Sequence, residues 1–384
     1  MRIGIDTLFE NPTIGTGGLT YIQNLVHCLA DLDDENEYVL YVSPQNRSLF
    51  NVERPNVRQA LCPFSKERRL GTIAFEHTAL PVLARRHLLD VFHAPGNVAP
   101  VWLPCASVVT VHTLHHWLLP ELLPRESRVY RRLFMARSVR RAEIVIAVSG
   151  YVKEKLVELL HVRPAKIRTI HLGATSPAEP DGVPNAGPAS FPRGSILFVS
   201  ALWPYKNAET AIRALARLRQ SDPAGPKLVL VGSGFAWYEG ELRALAEKEG
   251  VADGVVFAGH VPQRYMAGVY QRASVLVYPS LEEYFGLPPL EAMAAGVPVV
   301  ASDRSSIPEI VGDAGLLVPP TDAGAMADAI ARVLRDERLR KYLVARGKER
   351  IRAFTWERMA RETLAAYGAA VERRRLAALP GDGG

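Results

Sequence analysis

Short apolar runs, each closed by turn residues and followed by a helical pattern, occur twice over in this chain, on either side of a stretch without periodicity. In the first half the runs are IGID (3–6), YVLYV (38–42), DVFHA (90–94), SVVTV (107–111), IVIAVS (144–149) and IRTIH (167–171), with helical patterns at 18–32, 74–87 and 127–142. The segment GATSPAEPDGVPNAGPASFPRG, from Gly173 to Gly194, is rich in Gly, Pro, Ala and Ser and reads as a linker. The pattern then restarts with ILFVS (196–200), KLVLVG (227–232), VVFAG (255–259), SVLVYPS (274–280), PVVAS (298–302) and GLLVP (315–319). Helices are expected between them at 207–219, 238–249, 263–272, 288–295 and 322–335, and over 336–376 with a break near FTWERMA (354–360).

Strands that are almost wholly Val, Ile and Leu, alternating with helices, require parallel sheets covered on both faces. The chain is therefore expected to be α/β, with two doubly wound parallel-sheet domains and a cleft between them. The expected boundaries are 1–178, a linker over 179–194, and 195–359, with a terminal helix at about 360–384 crossing back onto the first domain. A length of 384 residues suits two cores rather than one. Ligands of such sheets bind beyond the carboxyl ends of the strands, so chemistry-bearing residues are expected there.

Hydrophobic residues make up 48% and charged residues 22% of the chain, values of a globular protein. The net charge of +6 suits anionic partners such as phosphorylated ligands or an acidic membrane face, and equally a well-solvated surface. Cys28, Cys62 and Cys105 have no metal-ligand spacing and cannot all pair, which points to a reducing, cytoplasmic setting. MRIGIDT reads as a first buried strand rather than a signal peptide, and no apolar run approaches the roughly 20 residues of a membrane span.

The most informative stretch is SLEEYFGLPPLEAMAAG (280–296). A strand ends at Ser280 and a helix is expected near Pro288 and Pro289, since proline is accepted in a first helical turn. Glu283 falls in the connecting loop and Glu291 in the expected first turn. Gly286 allows close backbone approach to a ligand. The N–H groups around Phe285–Leu287 and the positive helix end would suit an anion. An acid beside them can accept hydrogen bonds from a ribose or sugar diol. Glu291 alone could be explained by helix-start electrostatics, but Glu283, Gly286 and the double proline together could not.

EYFGLPPLEAMAAGVPVVAS resembles the signature of family 4 retaining glycosyltransferases of the GT-B fold, which have two Rossmann-like domains. The resemblance implies that Glu283 meets hydroxyls of the transferred sugar and that Glu291 holds the nucleotide ribose. It also implies that the backbone of Phe285, Gly286 and Leu287 approaches the sugar and diphosphate. That family usually has Gly where Tyr284 stands. In FVSALWPYKNAETAIRAL, Lys206 and Asn207 precede a helix, with Asn207 a candidate N-cap. Lys206 there would neutralise a diphosphate leaving group. The family pairs this Lys with an upstream Arg, and Ala201 occupies that position here. Gly232 and Gly234 in VGSG resemble the family's turn beside the nucleotide.

In the first half, NPTIGTGGLTYIQNL carries Gly15, Gly17 and Gly18 between a strand and a helix and does not fit G-x-G-x-x-G. It resembles the Gly-rich loop that reaches the donor phosphates, with Gly17 and Gly18 as candidate donor contacts. His112 follows a strand, and by resemblance lies near the reacting sugar, although Thr113 stands where the family commonly has Asp. His93 could line an acceptor pocket; His115 and His116 read as structural. No His cluster has a metal-site pattern with carboxylates, and neither metal nor resident cofactor is expected. The nucleotide-diphosphate sugar would be a co-substrate.

The reading implied is a retaining transferase with catalytic candidates His112, Lys206 and Glu283. It would move a hexose from a GDP- or UDP-linked donor, mannose being the family's suggestion, to a glycan or lipid-linked acceptor in cell-surface polysaccharide or glycoconjugate synthesis. Domain closure would exclude water. Arg125, Arg128, Arg131, Arg132, Arg137, Arg140 and Arg141 could rest the first domain on anionic lipid, a peripheral contact. Nucleic acid is not expected as a partner. A sugar-nucleotide epimerase or a phosphorylase on the same fold remains an alternative, the latter recognisable by a pyridoxal chromophore. So does a non-enzymatic basic membrane- or nucleic-acid-binding protein, which would tolerate loss of Glu283 and Glu291.

Overall fold

The computed structural model describes residues 1–8, 17–62, 69–174 and 191–378. It divides into two compact units, Met1–Gly173 with Trp356–Gly384, and Ala174–Thr355. The sequence places these divisions at 178 and 359. Gly173 explains the difference: a Cβ there would lie 2.4 Å from the Trp356 backbone nitrogen, so the first unit ends and resumes where these two residues pack together. Most of the expected linker lies outside the described residues.

Unit 1 is built from β1 (Arg2–Asp6), α1 (Gly17–Leu32), β2 (Glu37–Val42), β3 (Val57–Leu61), α2 (Arg69–Arg86), β4 (Val91–Ala94), β5 (Ala106–Val111), α3 (His115–Leu118), α4 (Arg125–Arg141), β6 (Ile144–Ala147), α5 (Gly150–Leu160) and β7 (Ile167–Thr169). Its seven strands lie in the order β3-β2-β1-β4-β5-β6-β7, and every pairing is parallel. The sequence reading lacks β3, whose composition VRQAL is mixed because it is an edge strand with mostly exposed side chains. It also lacks α5, although Ser149 accepts a capping hydrogen bond from Val152 N and Val152, Leu156 and Leu160 form its buried stripe.

Unit 2 comprises β8 (Ser195–Val199), α6 (Ala208–Ser221), β9 (Leu228–Val231), α7 (Ala236–Lys248), β10 (Val255–Gly259), α8 (Gln263–Arg272), β11 (Ala273–Tyr278), α9 (Leu287–Ala294), β12 (Val299–Ser302), α10 (Ile307–Val311), β13 (Gly315–Val318), α11 (Ala323–Arg335) and α12 (Glu337–Arg350). The strand order is β10-β9-β8-β11-β12-β13, again all parallel. Phe198, Leu230, Val275, Val277 and Val300 meet Ile212, Leu215, Ile330 and Val333 in one core. On α6, Ala208, Ala211, Ile212 and Leu215 are buried at helical spacing while Arg213 and Arg217 face solvent. Asp322 starts α11 by accepting from Gly324 N and Ala325 N. The final helix, α13 (Trp356–Ala378), belongs to unit 1 and packs on α1 and β5.

In unit 2 the chain leaves β8 towards β9 on one side and leaves β11 towards β12 on the other. β8 and β11 are neighbours, so the loops after them flank the topological switch point, where open parallel sheets form their crevice. Those two loops carry Lys206 and Glu283.

Candidate active site

Lys206 lies in a single 3-10 turn (Pro204–Lys206) between β8 and α6. Its ammonium sits 2.5 Å from Glu283 Oε2, and both side chains are close to nine-tenths enclosed. The same oxygen accepts the Tyr278 hydroxyl at 2.6 Å. The ammonium also faces the rings of Tyr205 and Tyr278, at 4.8 and 6.0 Å from their centroids. Burial by itself pulls Lys206 towards the neutral form. Attraction to Glu283, and then to Tyr278 and Tyr205, outweighs it and the net shift is upward, so the lysine is a fixed cation.

The acid loop is held from several sides. Leu281 N donates to Tyr205 O at 2.8 Å. Ser306, in the loop after β12, has its hydroxyl 3.0 Å from the carbonyl of Glu283 and 3.1 Å from that of Phe285. Phe285 packs edge-on against Phe354. Gly286 turns at φ +99°, a conformation that calls for glycine, and a Cβ there would come within 2.8 Å of Ile307 Cδ1, the end of a side chain that would have to shift.

Glu291 is corrected in one respect. Because α9 begins at Leu287, Glu291 is its fifth residue and lies beyond the first turn, so helix-start electrostatics do not account for it. The Tyr270 hydroxyl of α8 donates to Glu291 Oε2 at 2.8 Å. Burial raises the Glu291 carboxyl above its ordinary value, and the Tyr270 bond opposes this.

Asn207 takes the N-cap position of α6 but does not cap it with its side chain, contrary to expectation. It adopts a left-handed φ of +58° and its amide donates to Pro279 O at 3.0 Å and Pro320 O at 2.7 Å. Its Oδ1 accepts the Thr210 hydroxyl instead of a backbone N–H. Asn207 thus ties the loop after β8 to the loops after β11 and β13. Gly232 and Gly234 have a packing role of their own. Cβ atoms there would fall 1.9 Å from Ser200 O and 2.0 Å from Leu202 O, where the loops after β8 and β9 run against each other. Ala201 is exposed and contributes no charge.

In unit 1, Gly17 and Gly18 open α1 rather than lying in a loop before it; Gly15 is outside the described residues. His112 follows β5. Its backbone N–H donates to Asn97 Oδ1 at 2.7 Å, and Asn97 itself adopts φ +70°. Its ring hydrogen-bonds the Pro95 carbonyl and meets the edge of Tyr21 at 4.6 Å, while Nε2 is buried without a hydrogen-bond partner among the described residues. Burial lowers the imidazole to about 4, with the Pro95 bond opposing, so it is neutral at physiological pH.

His93 does not line a pocket. It is fully buried, with Nδ1 2.8 Å from Tyr367 Oη and Nε2 2.8 Å from Thr110 Oγ1, and both ring nitrogens are spent inside the core. Cys28, Cys62 and Cys105 are free thiols. Among the described residues, no helix is long and apolar enough to cross a membrane.

Sequence reasoning missed Tyr278, Tyr270, Ser306 and Asn97. A signal existed for Tyr278: a tyrosine, rather than phenylalanine, near the end of a central strand needs a partner for its hydroxyl.

Two all-parallel doubly wound units, the second with Lys206 and Glu283 in the loops after its central strands and Glu291 in the helix that follows, are the architecture of the GT-B fold. The chain belongs to glycosyltransferase family 4: residues 15–175 match Glycosyltransferase Family 4 and residues 192–350 match Glycosyl transferases group 1. Among similar proteins, O-antigen chain mannosyltransferase B of Escherichia coli is 30% identical over 287 residues, covering 72% of this chain and 74% of that protein. Among solved structures, sucrose-phosphate synthase (tll1590) from Thermosynechococcus elongatus superposes with TM-score 0.75 at 24% identity, covering 98% of this chain and 100% of that one. Anabaena Alr3699/HepE in complex with UDP-glucose gives TM-score 0.71 at 20% identity, covering 95% and 100%.

Proposed function

We propose that the chain transfers a hexose from a nucleotide-diphosphate sugar to a hydroxyl of a glycan or lipid-linked acceptor, with retention at the anomeric carbon. The observation that carries this reading is the convergence of Lys206 and Glu283 at the β8/β11 switch point, with Glu291 one turn into the adjoining helix. Lys206 is a fixed cation suited to charge developing on a departing diphosphate. Glu283 accepts hydroxyls of the hexose and Glu291 those of the ribose. Unit 2 holds the donor through these residues, Asn207, Gly232, Gly234 and the Phe285–Leu287 backbone. Unit 1 serves the acceptor, with Gly17 and Gly18 kept as candidate contacts to the donor phosphates and His112 as a catalytic candidate near the reacting sugar. No side chain at this site is placed as a nucleophile, and retention is assigned to front-face displacement in which the departing phosphate assists deprotonation of the acceptor. Lys206 supplies the positive charge, and the reaction proceeds without metal.

A GDP- or UDP-linked donor is favoured, with mannose the hexose suggested by the Escherichia coli relative's name and UDP-glucose by the HepE complex. The relative's name also supports a place in cell-surface polysaccharide synthesis. The exposed side of α4, bearing Arg125, Arg132, Arg137, Arg140 and Arg141 beside Val129 and Leu133, supports peripheral contact with an anionic, cytoplasmic membrane face.

The test is a thermal-shift panel of UDP, GDP, ADP and their sugars, followed by transfer assays with and without EDTA. One nucleotide should raise the melting temperature, because a ligand of the native form stabilises it, and Glu291→Ala should abolish that shift. A panel without any shift, and no transfer from any sugar nucleotide, would overturn the reading.

A further inference from the structure

We propose that Tyr278 is a positioning residue for the transfer reaction: together with Lys206 it occupies Oε2 of Glu283, so that Oε1 alone is offered to the donor hexose. The proposal rests on the reading of unit 2 as the donor site and adds to it which carboxylate oxygen does the work and what selects it.

A carboxylate oxygen has two lone-pair sites. On Oε2 of Glu283 both are taken, by Lys206 Nζ at 2.5 Å and by Tyr278 Oη at 2.6 Å. Oε1 accepts no hydrogen bond among the described residues and is not among the enclosed polar atoms that lack partners. The backbone of Glu283 is pinned as well, through Ser306. The side chain is therefore held at both ends, with one oxygen free.

The two donors differ in what a bound donor does to them. Lys206 carries three protons, and a diphosphate competes with Glu283 for them. Tyr278 is 1% exposed and its hydroxyl has Glu283 as its acceptor. Burial, reinforced by the charge of Glu283, moves its ionisation upward, so it stays a donor throughout the working range. Tyr278 thus holds Oε2 beside Lys206, whose remaining protons are left for the phosphates, and the acid does not rotate. A carboxylate fixed in this way discriminates between hexose epimers, because one oxygen at one place meets an equatorial or an axial hydroxyl unequally.

Tyr278→Phe keeps the ring beneath Lys206 and removes the one O–H. Sugar release from GDP-mannose and UDP-glucose, with and without acceptor, should fall at least tenfold for the active donor, mainly in kcat. The rate ratio between epimeric donors on one nucleotide (GDP-mannose against GDP-glucose, UDP-glucose against UDP-galactose) should narrow. The Kd of GDP and UDP should stay within twofold and the melting temperature near that of the parent. In a double-mutant cycle, Tyr278→Phe added to Glu283→Gln should cost less than a further twofold, since the hydroxyl acts through the acid it holds. Activity within twofold of the parent, fully additive losses, or nucleotide affinity falling by the same factor as turnover would each overturn the proposal. Failure of the donor-site reading looks different: the parent releases sugar from neither donor, or Glu283→Gln is fully active, and the role of Tyr278 falls with it.

Discussion

Lys206 Nζ and Glu283 Oε2 stand 2.5 Å apart although 77 residues separate them in the chain. Neither side chain is more than 12% exposed. Enclosure on this scale makes each charge depend on the other. Removing one partner of such a pair costs about 3–5 kcal/mol, because the remaining charge stays buried.

Lys206→Met is therefore expected to lower stability by about 3 kcal/mol and turnover by at least about 100-fold. Lys206→Met combined with Glu283→Gln should recover much of the stability and none of the activity. Urea unfolding and donor turnover of the parent, Lys206→Met, Glu283→Gln and the double variant check both halves. Equal instability of the single and double variants would count against a coupled pair.

Asn207→Gly and Asn207→Ala separate backbone from side chain at the same position. Both lose the amide bonds to Pro279 O and Pro320 O, a loss of about 1–3 kcal/mol. Only alanine adds strain at φ +58°. Alanine should thus be the less stable of the two by about 1 kcal/mol, measured by urea midpoint.

At Gly286 a side chain meets both a φ of +99° and Ile307 Cδ1 at 2.8 Å. Gly286→Ala is expected to cost about 1–3 kcal/mol and to shift the loop bearing Glu283, so that activity falls further than stability explains. Ile307→Ala in the same chain relieves the clash and should restore part of the stability while the φ strain remains. Melting temperature and kcat measured together decide this.

Acid should weaken unit 1 earlier than ordinary histidines would allow. His93 is lowered to about 3 by burial and then by His112, and His112 to about 4 by burial. Both native imidazoles are neutral, while in the unfolded chain they titrate near 6.5. Their contribution is complete above that value and shrinks as pH falls, disappearing near pH 4 for His112 and pH 3 for His93. One such group gives a slope of about 1.4 kcal/mol per pH unit, and two give roughly double. Urea midpoints between pH 7 and 4.5 should show that decline, and His112→Asn should flatten its own share.

The His93 network shows where reading by pattern ends. From the sequence, His93 and His112 are alike, each a histidine just after or at the end of an apolar strand. In the fold, β4 lies between β1 and β5 with α13 packed near it, so His93 meets Thr110 and Tyr367 and is consumed by the core. His112, at the end of β5, keeps one nitrogen without a partner among the described residues. Residue 367 is 274 positions from residue 93, and no local periodicity carries that information.

What the chain's order of residues determined by itself was local: two runs of apolar strands alternating with helices, hence two parallel sheets, and the acids, glycine and prolines of one strand-to-helix turn. Period and composition report which faces are buried, and that suffices for the fold class. Only tertiary structure decided the strand order that sets β8 beside β11, and with it the meeting of Lys206, Tyr278 and Glu283 on a single oxygen. It also turned Asn207 from a helix cap into a tie between loops. Such pairings depend on which buried strands become neighbours, a choice made by long-range packing that the alternation of apolar and polar residues does not encode.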